Sequence, residues 1–204
     1  MGKAAPAIEG LVLLPITLVL AVGFGMPTLW LLVPFALITL TGRAYEEYGL
    51  TLDRPGSLRF HLGLCAVIFG GYALGHYLFG RWFLGLRFSP ELPPAFPRVA
   101  LEQLLVIGLS EEFFFRGYLQ TQLNRWLGRP YKFLGAEWGW GLICTALLFG
   151  VCHVATTGNW TRLDTAFFGL FAGWLRERSG TIAVPAAYHG IANLIRDFMS
   201  RSLH

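Results

Sequence analysis

An all-α, polytopic transmembrane bundle of about seven helices is the fold class that this sequence predicts. Charged residues make up only 14% of its 204 residues and hydrophobic ones 54%, whereas a soluble domain of this size carries ~25% charged residues. The mean hydropathy is +0.53, and the apolar residues gather into runs approaching the ~20 that a helix needs to cross hydrocarbon. No strand-like alternation with hairpin turns is evident, so a barrel is not expected.

In chain order the predicted spans are approximately Pro6–Gly23, Pro27–Thr41, Arg59–Phe79, Arg98–Asn124, Glu137–Thr156, Thr161–Arg176 and Thr181–Met199. Gly23, Gly25 and Pro27 leave only a tight hairpin between the first two, with one broken helix as the alternative. Gly and Pro punctuate the rest, at Arg54-Pro55-Gly56, Leu92-Pro93-Pro94, Gly128 with Pro130, and Gly158 with Asn159. Lys3 before an apolar stretch imitates a signal peptide, but apolar character resumes at Thr28, so a retained first span is expected. The expected organisation is one transmembrane domain, 1–204, with its chemistry-bearing helices between 98 and 199.

The net charge of +4 comes from residues in short connections between apolar runs. That pattern suits loops beside anionic lipid and offers no basic stripe for nucleic acid. With seven spans, nine basic residues share the side of the N-terminus and six the other, which predicts a cytoplasmic N-terminus. The seven Trp suit interfacial depth. Cys65, Cys144 and Cys152 lie within apolar runs without C-x-x-C spacing and read as small packing residues. His61 and His76, near the ends of the third span, read as interfacial.

The fourth span carries Ser110-Glu111-Glu112-Phe113-Phe114-Phe115-Arg116. An ionised side chain at a span centre costs about 2.5–3.5 kcal/mol on insertion scales, so such residues are expected to be paired and functional. Glu112 and Arg116 are four apart and share a helix face, which predicts a salt bridge. Glu111 is turned ~100° away and is left for acid–base chemistry. The fifth span supplies Phe149-x-x-x-His153, and the seventh His189-x-x-x-Asn193, whose two side chains point the same way and suit an oxyanion. Gly150 and Gly190 permit close helix approach. Cys152, beside His153, diverges from it by ~100° and is not expected to act as a nucleophile.

Glu111-Glu112-x-x-x-Arg116, Phe149-x-x-x-His153 and His189-x-x-x-Asn193, in that order on separate spans, resemble the three motifs of the CPBP family of CAAX proteases and bacteriocin-processing enzymes. The likeness covers roughly residues 98–199. The small, single-domain layout is also similar to the myxosortase branch. The resemblance implies a helical bundle enclosing a wet cavity, a membrane-anchored protein or peptide substrate cut near its C-terminus, and a multi-pass place in the bacterial inner membrane. It implies that Glu111 activates water, that His153 positions or deprotonates it, that His189 and Asn193 form the oxyanion hole, and that Glu112 and Arg116 support the site.

Glu111, His153 and His189 are also the donor types of a two-His, one-carboxylate zinc site. No His-Glu-x-x-His is present, and a metal-free, glutamate-based mechanism is expected over a metalloprotease. Two other classes are compatible with the same residues: a non-proteolytic immunity or scaffold protein of the membrane, and a transporter using midplane carboxylates.

Overall fold

The computed structural model describes residues 4–51 and 56–204. Lys3 and Arg54, two of the nine basic residues counted on the N-terminal side, and most of the Arg54-Pro55-Gly56 boundary lie outside them.

Among the described residues, seven helices form the architecture. They are α1 (Ala5–Phe24), α2 (Leu29–Leu40), α3 (Leu58–Leu78), α4 (residues 96–127), α5 (Trp140–Thr157), α6 (Thr165–Ser179) and α7 (Ala183–Ser202). The first two are separate helices, not one broken helix. Gly25 closes α1 in the left-handed conformation, φ 62°, and the Met26 amide donates back to the Ala21 carbonyl at 2.9 Å, a Gly-type helix stop.

Among the described residues, three helices, Ala5–Phe24, Leu58–Phe83 and Trp140–Thr157, have the length and apolarity to cross a membrane. In Leu58–Phe83 only 6% of the apolar window is buried inside the protein. An apolar helix with its surface outward is stable where lipid covers it, so the chain is an integral membrane protein. The α2 helix has 12 residues, about 18 Å at 1.5 Å each, short of a hydrocarbon core of about 30 Å. Its sequence-predicted span of Pro27–Thr41 is trimmed at both ends.

Two other predicted boundaries shift. The span expected from Glu137 begins at Trp140, because Tyr131–Phe133 and Ala136–Trp138 pair as a short antiparallel hairpin. Leu134 (φ 44°) and Gly135 (φ 81°) make its turn. Two three-residue strands are too short for alternation to reveal them. The span expected from Thr161 starts as a 3₁₀ turn, Trp160–Asp164, capped by the Asn159 side chain, and turns α-helical at Thr165.

The long α4 helix positions the site. Two π-helical stretches, Glu102–Gly108 and Phe113–Leu119, flank a single α turn, Leu109–Glu112. Each π stretch rotates the residues beyond it, so the turn bearing both glutamates is aimed independently of the helix on either side. Phe114, Phe115, Leu119 and Leu123 of α4 pack with Leu14 of α1, Trp30 of α2 and Phe149 of α5 into one buried core. Glu9 in α1 ties the N-terminal helices to it. Its carboxylate accepts from Arg43 at 2.6 and 2.7 Å and from Gln122 at 2.7 Å, and Tyr118 also donates to it.

The crossing of α4 and α7 is set by glycine. A Cβ on Gly190 would lie 2.8 Å from the Leu104 Cα, and one on Gly108 would lie 2.9 Å from the Ala186 carbonyl oxygen. Both are closer than real Cβ atoms come to backbone, so the two helices touch main chain to main chain. Gly150 of α5 allows a close but less extreme approach to the 3₁₀ turn, where a Cβ would lie 3.1 Å from the Leu163 carbonyl oxygen. Gly190→Val therefore has to push α7 off α4 and move His189, the adjacent residue, away from the glutamates. We expect Gly190→Val to lower the thermal midpoint in detergent and reduce any activity at least tenfold, while Gly63→Ala, with nothing within 4 Å of its added Cβ, serves as the silent control.

Candidate active site

Three helices bring the motif residues together. Glu111 and Glu112 come from the α turn of α4, His153 from the last third of α5, and His189 and Asn193 from the middle of α7. The Arg116–Glu112 pair expected from i,i+4 spacing is present at 2.9 Å, with both side chains fully buried. Spacing along one helix does not foretell the second partner of that carboxylate: His189 Nδ1 also lies 2.8 Å from Glu112 Oε1. Arg116, Glu112 and His189 thus form one continuous line from the protein interior to the site.

Phe149 serves this line from another side. Its ring lies under the Arg116 guanidinium, 4.3 Å from centroid to Cζ, which offsets part of the burial of that charge. The same ring packs 4.4 Å from the His153 ring and edge-on to His189. Its carbonyl lies 3.0 Å from His153 Nδ1. Phe-x-x-x-His is therefore a local construction: one residue supports the cation and fixes the imidazole one turn later.

The acceptors place one proton on each ring. A carbonyl can only accept, and so can a carboxylate paired with Arg116, so each Nδ1 carries a proton. The Nε2 of each ring then faces the site. Both Nε2 atoms lie 3.8 Å from the same atom, Glu111 Oε2. That is too long for a direct hydrogen bond. Glu111 Oε2 is buried without a hydrogen-bond partner, although the side chain as a whole is 16% exposed. Where two polar groups stand at this spacing, a bridging water is the usual mediator.

Asn193 lies one turn after His189. Its Nδ2 donates to Gln103 Oε1 at 2.8 Å, which uses one of its two N–H groups. Gln103 is a site neighbour that no sequence motif signals. His153, His189 and Asn193 line a cavity of about 420 Å³ whose walls include Phe69, Phe149 and Phe168. Tyr72, Arg162 and Arg196 also line it, as does His76, which the sequence suggests is merely interfacial. His61 is bonded across to Tyr188 of α7.

The donor types of Glu111, His153 and His189 suit zinc, and both Nε2 atoms face the same carboxylate oxygen. Their spacing does not suit it. Tetrahedral ligands at about 2.0–2.1 Å stand roughly 3.3 Å apart, against 3.8 Å here. Among the described residues, no group of three or more His, Cys, Asp or Glu side chains is placed to hold a metal ion.

The three motifs place two glutamates, two histidines and an asparagine on three facing helices, and a family model drawn for such chains fits. The model for type II CAAX prenyl endopeptidases, Rce1-like, matches residues 93–195, half of the chain. The chain belongs to that family. The matched stretch runs from the loop before α4 into α7 and takes in every residue of the Glu111–His153–His189 cluster as well as Asn193. No curated protein and no solved structure matches the chain. An Rce1-like endopeptidase acts on protein, and its setting here is the membrane, so this member is a membrane protease.

Proposed function

We propose that this Rce1-like chain hydrolyses a peptide bond near the C-terminus of a membrane-associated or lipidated protein, using a water molecule activated by Glu111. The observation that carries the proposal is the convergence of Glu111 Oε2, His153 Nε2 and His189 Nε2, with 3.8 Å on each oxygen–nitrogen side. A water about 2.8 Å from each atom bridges such gaps.

In this reading the Glu111 carboxylate takes a proton from that water as its oxygen attacks the substrate carbonyl carbon. The His153 Nε2 lone pair accepts the other water hydrogen and fixes the direction of attack. Negative charge develops on the carbonyl oxygen. His189, whose Nδ1–H is held by the Glu112 carboxylate, is the group built to carry a positive charge, as a histidine backed by a carboxylate does in acyl transfer. As imidazolium it donates Nε2–H to the water oxygen before attack and to the oxyanion after it, with the second Asn193 N–H beside it. When the tetrahedral intermediate collapses, the C–N bond breaks and Glu111 returns its proton to the leaving amine. The hydrogen left on the attacking oxygen passes by way of His153 to the amine, so the products are a carboxylate and an ammonium ion, and Glu111 is again ionised.

The protein is proposed to sit as a multi-pass protein in the bacterial inner membrane. Quantitative mass spectrometry of membrane-protein C-termini, in cells with and without the chain, tests the function. The expected result is a defined set of proteins whose C-termini are longer when the chain is missing and are trimmed when it is restored. Identical C-termini in both cells would contradict it.

We propose that no metal takes part in the water activation. Purified protein shown by elemental analysis to hold less than one-tenth equivalent of zinc is expected to keep its full rate, and 1,10-phenanthroline to leave it within twofold. Loss on chelation with zinc-specific recovery would overturn the metal-free reading.

A further inference from the structure

A second pocket lies at the other end of the bundle and shares no residue with the active-site cavity. It encloses about 430 Å³ among the end of α4, the end of α6 and the 3₁₀ turn Tyr45–Tyr48, and its walls include Glu47, Asn124, Arg125, Arg129, Arg176 and Glu177. Asn124 stands thirteen residues beyond Glu111, roughly 15–20 Å along α4. Glu9, near the start of α1, accepts from Gln122, so the pocket is on the side of the N-terminus. The charges in this pocket do not balance. Glu177 is only 5% exposed, and its carboxylate is already fully engaged. Gln120 and Asn124 donate to its Oε1 at 2.6 and 2.8 Å, and Arg129 to its Oε2 at 2.9 Å. Arg125 pairs with the Glu47 carboxylate. Arg176 is the third cation, and it forms no ion pair among the described residues. Its guanidinium lies against Gly49, where an added Cβ would stand 2.7 Å from Nε. Its Nη2 donates to the Glu47 carbonyl at 3.2 Å, and its Nε is buried without a partner. A guanidinium carries five N–H groups, so most of those on Arg176 are unused.

We propose that Arg125, Arg129 and Arg176 form a binding site for a phosphate group, carried by an anionic phospholipid or free in solution. Three guanidiniums against two carboxylates leave one positive charge, and a largely buried cation without a counter-ion is costly. An anion entering the pocket removes that cost. Phosphate suits the geometry because its oxygens point in several directions and each pair can take a guanidinium fork. The cations come from two helix ends, Arg125 and Arg129 at the end of α4 and Arg176 near the end of α6, so one bound group would tie the two ends together. The surroundings suit a lipid headgroup. Trp126 and Tyr131, next to Arg125 and just beyond Arg129 in the chain, are exposed, and such rings favour headgroup depth. Basic residues at that depth attract anionic lipid. The site is remote from Glu111 and does not depend on the hydrolytic reading.

The test uses the full chain in dodecyl maltoside, offered equal amounts of phosphatidylglycerol and phosphatidylcholine, with bound lipid counted by native mass spectrometry. In parallel, the thermal midpoint is followed in inorganic phosphate against chloride at matched ionic strength. Phosphatidylglycerol is expected to be retained at least tenfold over phosphatidylcholine. Arg176→Gln and Arg125→Gln are each expected to remove most of that preference, and Arg176→Lys to keep part of it. Arg87→Gln, which removes an exposed cation beyond the far end of α3, is expected to leave it whole. Arg125 is exposed, so Arg125→Gln keeps the test decisive if Arg176→Gln fails to fold. A midpoint raised by inorganic phosphate and lost in Arg125→Gln, with no preference between the lipids, would support the site and assign it to free phosphate. Equal retention of the two lipids together with no effect of phosphate would overturn the proposal. So would a preference or a phosphate effect that Arg125→Gln and Arg176→Gln reduce no more than Arg87→Gln does.

Discussion

Glu111→Ala is expected to abolish cleavage while leaving the protein folded and abundant. The Glu111 side chain makes no hydrogen bond that the fold depends on, since its buried Oε2 has no partner and its nearest polar neighbours stand 3.8 Å away. Removing it deletes no supporting bond and relieves the burial of a charge. Its loss to catalysis is that of a general base, about 10²–10⁴-fold by itself, and larger if the water is held nowhere else. Initial rates on a substrate found by the C-terminal survey, set beside expression and thermal midpoint, check this. A Glu111→Ala protein that cleaves at near its original rate would end the present assignment, and so would one that fails to accumulate.

Glu112→Ala and Arg116→Ala are expected to do the opposite, destabilising first and lowering activity as a consequence. Both side chains are fully buried and joined at 2.9 Å. Truncating one strands the other as an uncompensated charge, a loss of about 3–5 kcal/mol. Two Arg116 nitrogens already lack hydrogen-bond partners, so this guanidinium depends on Glu112 and on the Phe149 ring for its place. The two substitutions separate in a second way. Glu112→Gln keeps the shape but cannot stabilise an imidazolium at His189, so it is expected to reduce rate more than abundance. Arg116→Met removes the charge that Glu112 balances and is expected to reduce abundance more than Arg116→Lys does. Thermal midpoints and initial rates of the four proteins, compared side by side, read out both effects.

The contrast between the adjacent glutamates is partly legible in the sequence. The i,i+4 spacing of Glu112 and Arg116 names the buried pair, and the ~100° offset turns Glu111 away from it. The order of apolar runs likewise points to seven helices near their observed places. A partner on another helix is beyond the reach of spacing along one. The Glu112–His189 bond depends on how closely α4 and α7 approach, and hence on Gly108 and Gly190, while the aim of the glutamates depends on two π stretches with no sequence signature. Gln103 and Arg196 stay hidden for the same reason: each is an ordinary polar residue until the fold places it beside Asn193 or in the cavity. The hairpin at residues 131–138 is hidden because three-residue strands fall below the length at which periodicity is readable.

Glu111, His153 and His189 are held to act on one shared water, and a double-mutant cycle on cleavage rate tests this most directly. Residues that work as a unit are strongly non-additive: once one is gone, removing another costs little more. Glu111→Ala, His153→Ala, and the double variant should all show similar residual rates, with the double no more than about threefold below the slower single. The same is predicted for Glu111→Ala with His189→Ala. Effects that multiply, so that each double variant falls by the product of its two singles, would mean that the three side chains act at separate points and would contradict the shared-water mechanism.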